Sequence, residues 1–518
     1  MNTLNVTKET QVLAVGAIRW LRNPFVVLCL IVLTGFVAFG WRTTSHKVWQ
    51  PAEVEIAFWL WQTNLPSITE VHQTLQPFQT RTVFIRAGQF DLNQNRIERI
   101  RPAVGQFPSN LTIHLVYNAT PEFLNSFESF SETDFARAVQ STFEADCLRA
   151  QSDGAQVVGI QLDLDAPTRL LPRYGSLVRA VRQTLPHGTF FSVTGLPTWM
   201  NSPAQLRELL KETDFWIPQC YGGKIPQKRT DRIPICSPAS VAKSIQKAQS
   251  IGHPFWAGLA AYGYALHYNS RGNLQALYGD LDPAQIFSNP NLELVSRETY
   301  SLKTPSNWRY EFRPKTDCTI DGITLYSDDF LVLEIPNSQV LRESARLVRQ
   351  YAGDQLLGIC LFRFPGYLDL TTLPGEELSP ALSDVPSHPH FTLTAQTIGK
   401  KSVIVTVRNT GDVSLLADPD ALELEIGYPE GQLQNLTTSD FPQFRFLHVI
   451  HMAASDAPPA MVPGSKGRSN LVRLTRGILR PGATASVQIE FSNALPSLPV
   501  RLIARTSDGS RFEIQTSQ

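Results

Sequence analysis

The chain has 518 residues, more than one domain usually contains, so its length predicts several hydrophobic cores. Lysine plus arginine and aspartate plus glutamate number 46 each, which makes the formal net charge zero. This balance argues against a nucleic-acid-binding protein that works by neutralising phosphates. Because 42% of the residues are hydrophobic, with 28 Phe and 9 Trp among the 518, a mainly disordered chain is excluded as well.

The first hydrophobic run predicts the location of the protein. Every residue from Pro24 to Phe39 is apolar or small, and two arginines precede the run. A run of this length is enough for a transmembrane helix or signal anchor, which we assign to residues 24–41. Residues 1–23 would then be cytoplasmic and the bulk of the chain periplasmic or extracellular, with the membrane as a partner. A cleaved signal peptide is the alternative, because Ala38-Phe39-Gly40 resembles a cleavage site.

Five cysteines lie outside this run, and no Cys-x-x-Cys spacing indicates a zinc or redox site. We therefore interpret them as small buried apolar residues, with Cys220 and Cys236 as the first pair to test for a disulfide. The sequence predicts no metal and no cofactor.

Strand-like and helix-like segments alternate after the apolar run. We expect helices that begin at Ser67, at about Ser131 and near Asn337, and a further helix whose apolar face runs from Tyr174 to Leu185. Parallel strands need such crossovers, so the pattern predicts an α/β fold, a (β/α)8 TIM barrel over residues 50–378. The eight predicted strands are Val54–Trp61, Thr80–Ala87, Leu111–Tyr117, Val157–Asp165, Phe190–Leu196, Phe215–Tyr221, Phe255–Ala261 and Leu356–Phe364.

Two additions to the barrel are predicted. Residues 265–336 form a long insertion after the seventh strand and carry strand-like segments of their own. From residue 383 to 518, short strand candidates are separated by turn signals such as Asn409-Thr410-Gly411, without any helical period. This pattern predicts a C-terminal all-β sandwich domain.

The fourth predicted strand contains the candidate catalytic residues. Its alternation places Gln161, Asp163 and Asp165 on one face, and two residues along a strand are roughly 6 to 7 Å apart. In a TIM barrel, reactive groups lie at the carboxyl ends of the strands. Repulsion between the two carboxylates would raise the pKa of one of them, which favours a protonated acid beside an ionised partner.

Two other interpretations of the aspartates stay open. In the first interpretation both aspartates have structural roles: one carboxylate caps the turn at residues 166–168, and the other pairs with an arginine such as Arg363. In the other, Asp-x-Asp binds a metal or a nucleotide sugar, although no cluster of histidines accompanies it.

The strand endings resemble those of the family 18 glycoside hydrolases, the chitinase-like barrels. That family carries Asp-x-x-Asp-x-Asp-x-Glu on its fourth strand, where this chain has Gln161 for the second Asp, Asp163 for the third and Asp165 for the Glu. The family's Met-x-Tyr-Asp is echoed by Gln219-Cys220-Tyr221-Gly222, and its eighth-strand Trp is replaced by Phe362.

A closer resemblance is to the bacterial family called domain of unknown function 3142, whose members are glycosidase-like barrels. The residues that carry it are Gln161 to Thr168, Leu171-Pro172-Arg173-Tyr174 and Ser192 to Trp199. This resemblance implies a glycosidase-like barrel fold but assigns no activity.

Together the residues and the resemblance predict a membrane-anchored, glycoside-hydrolase-like protein that acts on or binds a polysaccharide or oligosaccharide. Asp165 would be the general acid, Asp163 its electrostatic partner and Tyr221 a hydrogen-bond donor near the anomeric carbon. The residues predicted to bind the substrate are Gln161, Trp199, Gln219, Phe362 and Arg363. The alternative is a non-catalytic glycan-binding or envelope scaffold protein.

Overall fold

The computed structural model describes residues 54–94, 96–366, 369–450, 460–494 and 498–517. The predicted cytoplasmic segment 1–23 and membrane segment 24–41 lie outside these residues. Within the described ranges, no helix has the length and apolar character needed to span a membrane.

Eight parallel strands close into a barrel, as predicted. Closure follows from the first strand, which pairs in parallel with both the second and the last. A hairpin strand, β3 (Arg96–Ile100), extends the second barrel strand and was not predicted. The barrel strands are β1 (Glu55–Leu60), β2 (Thr82–Asn93), β4 (Thr112–Ala119), β5 (Gln156–Asp163), β6 (Phe190–Gly195), β7 (Phe215–Pro218), β8 (Phe255–Ala260) and β16 (Leu356–Phe362).

Helices connect the barrel strands, and two of them begin at the serine caps that the sequence predicts. The hydroxyl of Ser67 accepts the backbone N–H of Glu70 at 3.2 Å, and that of Ser131 accepts Asp134 at 3.0 Å. The helices are α1 (Ile68–Leu75), α2 (Pro121–Asn125), α3 (Glu132–Ser152), α4 (Leu171–Arg182), α5 (Pro203–Leu210), α6 (Pro238–Ile251), α7 (Pro283–Ser288), α8 (Ser338–Tyr351) and α9 (Gly375–Leu382).

Large aromatic side chains fill the interior of the barrel. They come from alternate positions on its strands, as the pleat of a strand requires. The interior cluster comprises Ala57, Trp59, Phe84, Val116, Phe215, Ile217, Trp256 and Cys360, with Trp61 and Phe362 packed against it. Because the interior is filled, the space for a ligand lies above it, at the carboxyl ends of the strands.

The insertion after the seventh barrel strand forms its own sheet, with the order β10-β9-β15-β12-β11, and a separate β13–β14 hairpin. Its core includes Tyr310, Phe312 and Leu331. The strands are β9 (Tyr264–Tyr268), β10 (Leu274–Tyr278), β11 (Leu292–Thr299), β12 (Trp308–Pro314), β13 (Cys318–Ile320), β14 (Ile323–Leu325) and β15 (Phe330–Ile335).

The C-terminal residues form two antiparallel sheets around a shared apolar core, with strand orders β17-β18-β24-β20 and β22-β21-β23-β19-β25-β26. The backbone N–H of Ser414 donates to Glu377 of α9 at 2.9 Å, and the indole of Trp308 in the insertion donates to the carbonyl of Ser507 at 2.8 Å. These bonds join the C-terminal sheets to the barrel and to the insertion. The strands are β17 (Phe391–Ile398), β18 (Ser402–Asn409), β19 (Leu422–Gly427), β20 (Leu433–Thr437), β21 (Gln443–Ile450), β22 (Ala460–Pro463), β23 (Leu471–Arg476), β24 (Thr484–Phe491), β25 (Pro499–Arg505) and β26 (Arg511–Ser517).

Several barrel strands end earlier than predicted, and at β5 and β7 the difference bears on the candidate site. β5 ends at Asp163 and not at Asp165, and β7 ends at Pro218 and not at Tyr221. The apolar alternation continues past both strands, although the backbone leaves the sheet, so periodicity alone overestimates their length. Among the described cysteines, Cys220 and Cys236 are buried and free, so this structure forms no disulfide between them.

Close packing against Gly358 of β16 gives a test of the barrel. A methyl group at this position would collide with the ring of Trp256 and lie 2.6 Å from the backbone oxygen of Glu55. We expect Gly358→Ala to lower the free energy of unfolding by about 1–3 kcal/mol, because an overpacked core must distort its neighbours. Chemical unfolding followed by fluorescence measures this change.

Gly467→Ala is the matched control, since Gly467 is exposed and nothing within 4 Å would meet the added methyl group. An equal loss of stability in the two variants would contradict the packing argument.

Candidate active site

Asp163 and Asp165 lie where β5 reaches the carboxyl end of the barrel. Asp163 is the last residue of the strand and is buried, with its carboxylate accepting the hydroxyl of Thr194 on the neighbouring strand β6. Asp165 follows in the loop and is exposed to solvent. Its φ of 23° is a conformation that residues other than glycine adopt rarely and that is found at functional sites. The structure therefore presents one buried and one accessible carboxyl group side by side.

The environment raises the pKa of both carboxyl groups. For Asp163 the largest cause is burial, which the hydrogen bond from Thr194 and the positive charge of Arg86 partly oppose. For Asp165 the causes are the surrounding protein and repulsion from Asp163, opposed by a hydrogen bond from Gln219. The Asp165 side chain is exposed to solvent and is also surrounded by many protein atoms, as a side chain at the base of a cleft would be. The pair thus favours a protonated Asp165 beside Asp163.

An aromatic group borders the aspartates. The rings of Tyr221 and Phe362 stack with centroids 5.9 Å apart, and Tyr262 and Trp61 contact Phe362 edge-on at 5.0 and 5.3 Å. Burial raises the pKa of Tyr221, so its hydroxyl stays protonated, and that hydroxyl has no hydrogen-bond partner within the part of the chain that the structure describes. A protonated hydroxyl without a partner can donate to a ligand.

Gln219 lies beside Asp165, as the sequence predicts for a residue of the site. It follows the last residue of β7, is partly buried, and its amide nitrogen is 3.5 Å from Oδ1 of Asp165. This long hydrogen bond leaves Asp165 able to bind another group.

Two residues predicted to bind substrate are instead structural. The Gln161 amide is completely buried, where it accepts the indole N–H of Trp59 at 2.8 Å and donates to Ser192 at 3.2 Å. Trp199 lies in the 3-10 helix Pro197–Asn201 and is completely buried. Its indole donates to the carbonyl of Ala166 at 2.8 Å, so it supports the loop that carries Asp165. Neither side chain has a surface that a ligand could reach.

Arg363 is predicted to bind substrate, or to pair with one of the two aspartates. In the structure its guanidinium pairs with Asp280 of the insertion at 2.7 Å and with Asp369 at 2.8 Å, and it donates to Thr371 at 2.8 Å. The predicted pairing with Asp163 or Asp165 is therefore wrong, because the insertion supplies a nearer carboxylate. The guanidinium nevertheless lines the cavity described next.

A cavity of about 770 Å³ opens between the ends of β1, β2 and β4, the insertion and the loop after β16. Neither aspartate lines it, but Arg86 in its wall is the arginine whose charge acts on Asp163. The amide oxygens of Gln62 and Gln89 in its wall are buried and have no hydrogen-bond partner among the described residues. Such groups favour a ligand that offers hydroxyl donors. The main polar and aromatic residues of the wall are Trp61, Gln62, Arg86, Gln89, Arg101 and Asn118.

The metal interpretation of Asp-x-Asp gains no support. Within the described ranges, no group of three or more His, Cys, Asp or Glu side chains could hold an ion. Capping of the following turn is not seen either, since the 3-10 helix Thr168–Leu170 has Pro167 at its N-cap and no side-chain hydrogen bond there.

Two residues that act on the carboxylates, Thr194 and Arg86, were not among the predicted site residues. Thr194 lies within the segment Ser192 to Trp199, but from the sequence its hydroxyl could equally have faced the helices. Arg86 follows the apolar run Val83-Phe84-Ile85, and a charged residue in a buried strand is a signal that could have been used.

Comparison with known families concerns the central part of the chain. Residues 130–282 match the model of a domain of unknown function, DUF3142, which confirms the predicted resemblance over less than a third of the chain. The search of curated proteins finds no match.

Solved structures to which the chain is similar include two enzymes and an agglutinin. The spore cortex-lytic enzyme SleL of Bacillus cereus has 13% identity and a TM-score of 0.40, covering 64% of this chain and 74% of that one. A chitinase of Chromobacterium violaceum has 15% identity and a TM-score of 0.39, covering 64% and 98%. A chitinase-like agglutinin of Robinia pseudoacacia has 12% identity and a TM-score of 0.38, covering 63% and 99%. The segment that resembles DUF3142 contains Asp163, Asp165, Gln219 and Tyr221.

Proposed function

We propose that the protein hydrolyses a glycosidic bond in a polysaccharide or oligosaccharide, with Asp165 as the general acid. The observation that carries this proposal is the accessible Asp165, whose pKa is raised by its surroundings and by Asp163, beside the buried Asp163 at the mouth of the barrel. Hydrolysis of an acetal needs a proton on the leaving oxygen and negative charge near the developing oxocarbenium ion. One neutral and one ionised carboxyl group supply these two functions.

Asp163 is suited to the electrostatic role. The Thr194 hydroxyl and the Arg86 charge favour its ionised form and oppose the effect of burial. When Asp165 gives its proton to the glycosidic oxygen, the negative charge of Asp163 stabilises the positive charge that develops on the sugar. Water completes the reaction, so that the bond to the leaving sugar breaks and a hydroxyl group forms on each product.

The remaining groups are suited to a sugar ring. The Tyr221 hydroxyl can donate a hydrogen bond near the reacting carbon, and Phe362 with Trp61 offers partly exposed aromatic surface. The amide oxygens of Gln62 and Gln89 can accept sugar hydroxyls.

Asp165→Asn should lower the hydrolysis of oligosaccharides by about 10²–10⁴-fold, because the amide cannot protonate the leaving oxygen. The loss should be much smaller for dinitrophenyl glycosides of the same sugar, since that leaving group departs without protonation. Comparison of kcat/KM for the two kinds of substrate measures the effect.

Asp328→Asn is the control, because Asp328 is an exposed aspartate in the insertion whose one ion pair among the described residues is with Arg313 at 3.7 Å. Chitin, peptidoglycan and β-glucan fragments serve as substrates. If wild type and Asp165→Asn are equally inert while sugars still bind, the protein is a non-catalytic glycan-binding protein and the enzyme proposal fails.

The pH profile gives a second test. Hydrolysis should fall as pH rises through the raised pKa of Asp165, because the acid loses its proton there. Asp163→Asn removes the repulsion that helps to raise this pKa, so the alkaline limb of the residual activity should move to lower pH. Asp328→Asn, with the same change of charge, should leave the limb in place. An unmoved limb in Asp163→Asn would show that the two carboxyl groups do not interact.

We also propose that residues 24–41 hold the protein at a membrane, with the barrel on the periplasmic or extracellular side. The support is the apolar run and the arginines that precede it. Deletion of residues 1–41 should release the protein from the membrane fraction, whereas the complete chain should stay there after a high-salt wash. If the protein expressed with residues 1–41 is recovered in the soluble fraction and begins after residue 40, the cleaved signal peptide is supported instead.

A further inference from the structure

Two arginines in the wall of the cavity, Arg86 and Arg101, form no ion pair with any of the residues that the structure describes. Arg86 is only 6% exposed, its Nε donates to Asn118 at 3.2 Å and its Nη1 to Thr63 at 3.1 Å. Its guanidinium carbon lies 5.7 Å from the centre of the Trp61 ring. These contacts hold a positive charge in the wall of the cavity.

Arg101 brings a second positive charge to the same cavity. It follows strand β3, is exposed, and has a φ of 47°, an unfavourable conformation for a residue with a side chain. Throughout the described parts of the chain, neither Arg101 nor Arg86 has a carboxylate within salt-bridge distance. Repulsion from Arg101 contributes to lowering the pKa of Arg86, after the larger effect of burial.

Compensation of Asp163 explains only one of the two charges. Arg86 already acts on Asp163, and a second cation next to Arg86 is unfavourable unless an anion lies between or beside them. Four carboxylates line the same cavity, those of Glu70, Asp280, Asp282 and Asp369, and within the described residues none of them forms an ion pair with Arg86 or Arg101. Asp280 and Asp369 pair with Arg363, and Asp282 caps helix α7 by accepting the N–H of Ala284 at 2.8 Å.

We propose that Arg86 and Arg101 bind a carboxylate group carried by the glycan, so that the substrate is an acidic polysaccharide rather than a neutral one. Guanidinium groups bind carboxylates through paired hydrogen bonds, and a 770 Å³ cavity is large enough for one or two sugar rings. The unpartnered oxygens of Gln62 and Gln89 in the same wall accept the hydroxyls of that sugar. This inference names the substrate class and rests on the proposed function for the location of the bond that is cleaved.

The test is binding to the full chain carrying Asp165→Asn, so that no ligand is consumed. The ligands are oligomers of a uronic acid, glycan strands that contain muramic acid, the carboxyl-reduced form of each, and neutral chitin oligomers. We expect one carboxylated ligand to bind more tightly than its reduced form, and the ligand that does so identifies the source of the carboxylate. The preference should weaken as salt rises.

Arg101→Gln should weaken binding of the carboxylated ligand about tenfold and leave the reduced ligand unchanged. Arg96→Gln is the matched control, because Arg96 is an exposed arginine of the same hairpin that does not line the cavity. It should change neither affinity. Equal affinity for carboxylated and reduced ligands, or equal effects of the two variants, would overturn the inference.

The two proposals fail in different ways. If carboxylated ligands bind through Arg101 but the wild type hydrolyses none of them, the proposed hydrolase function is wrong and the proposal of an acidic ligand is supported. If the wild type hydrolyses neutral and acidic glycans equally and Arg101→Gln changes neither rate, the hydrolase stands and the acidic substrate fails.

Discussion

Asp163 is a carboxylate at the end of a buried strand, and an ionised group in that position is stable only with compensation. The compensation comes from two other strands, through the hydroxyl of Thr194 on the adjacent β6 and the charge of Arg86 on β2, two strands away. Burial, and after it the charge of Asp163, raises the pKa of Asp165. Both chemical roles in the site therefore depend on how one buried carboxylate is stabilised by a closed barrel.

Structural side chains beneath the site set the geometry of its reactive groups. Gln161 links Trp59 to Ser192 across the barrel interior, and Trp199 holds the carbonyl of Ala166, next to Asp165. The unusual backbone conformation of Asp165 is thus supported from below by a completely buried indole. Such support is needed where an accessible acid must keep one position relative to its partner.

The insertion and the loop after β16 turn an open barrel mouth into a cavity. Arg363 joins them by pairing with Asp280 and Asp369. Arg363 is one cation between two carboxylates, and Glu70 and Asp282 line the same cavity, so the wall holds four acidic side chains and three arginines. Within the described residues, Arg86 and Arg101 are the two of these arginines that form no ion pair, and the proposed acidic glycan would bind there.

The sequence by itself determined the barrel, because apolar strands and amphipathic helices alternate with periods that local chemistry reveals. It also indicated Asp163, Asp165, Gln219 and Tyr221, since polar residues at the ends of buried strands need a reason. Only the tertiary structure decided that Gln161 and Trp199 point into the core, because a strand's period assigns a face but not the partners that cover it. The partners of Asp163 likewise come from other strands, the adjacent β6 and the more distant β2, and the pairing of the strands in the barrel sheet brings them together.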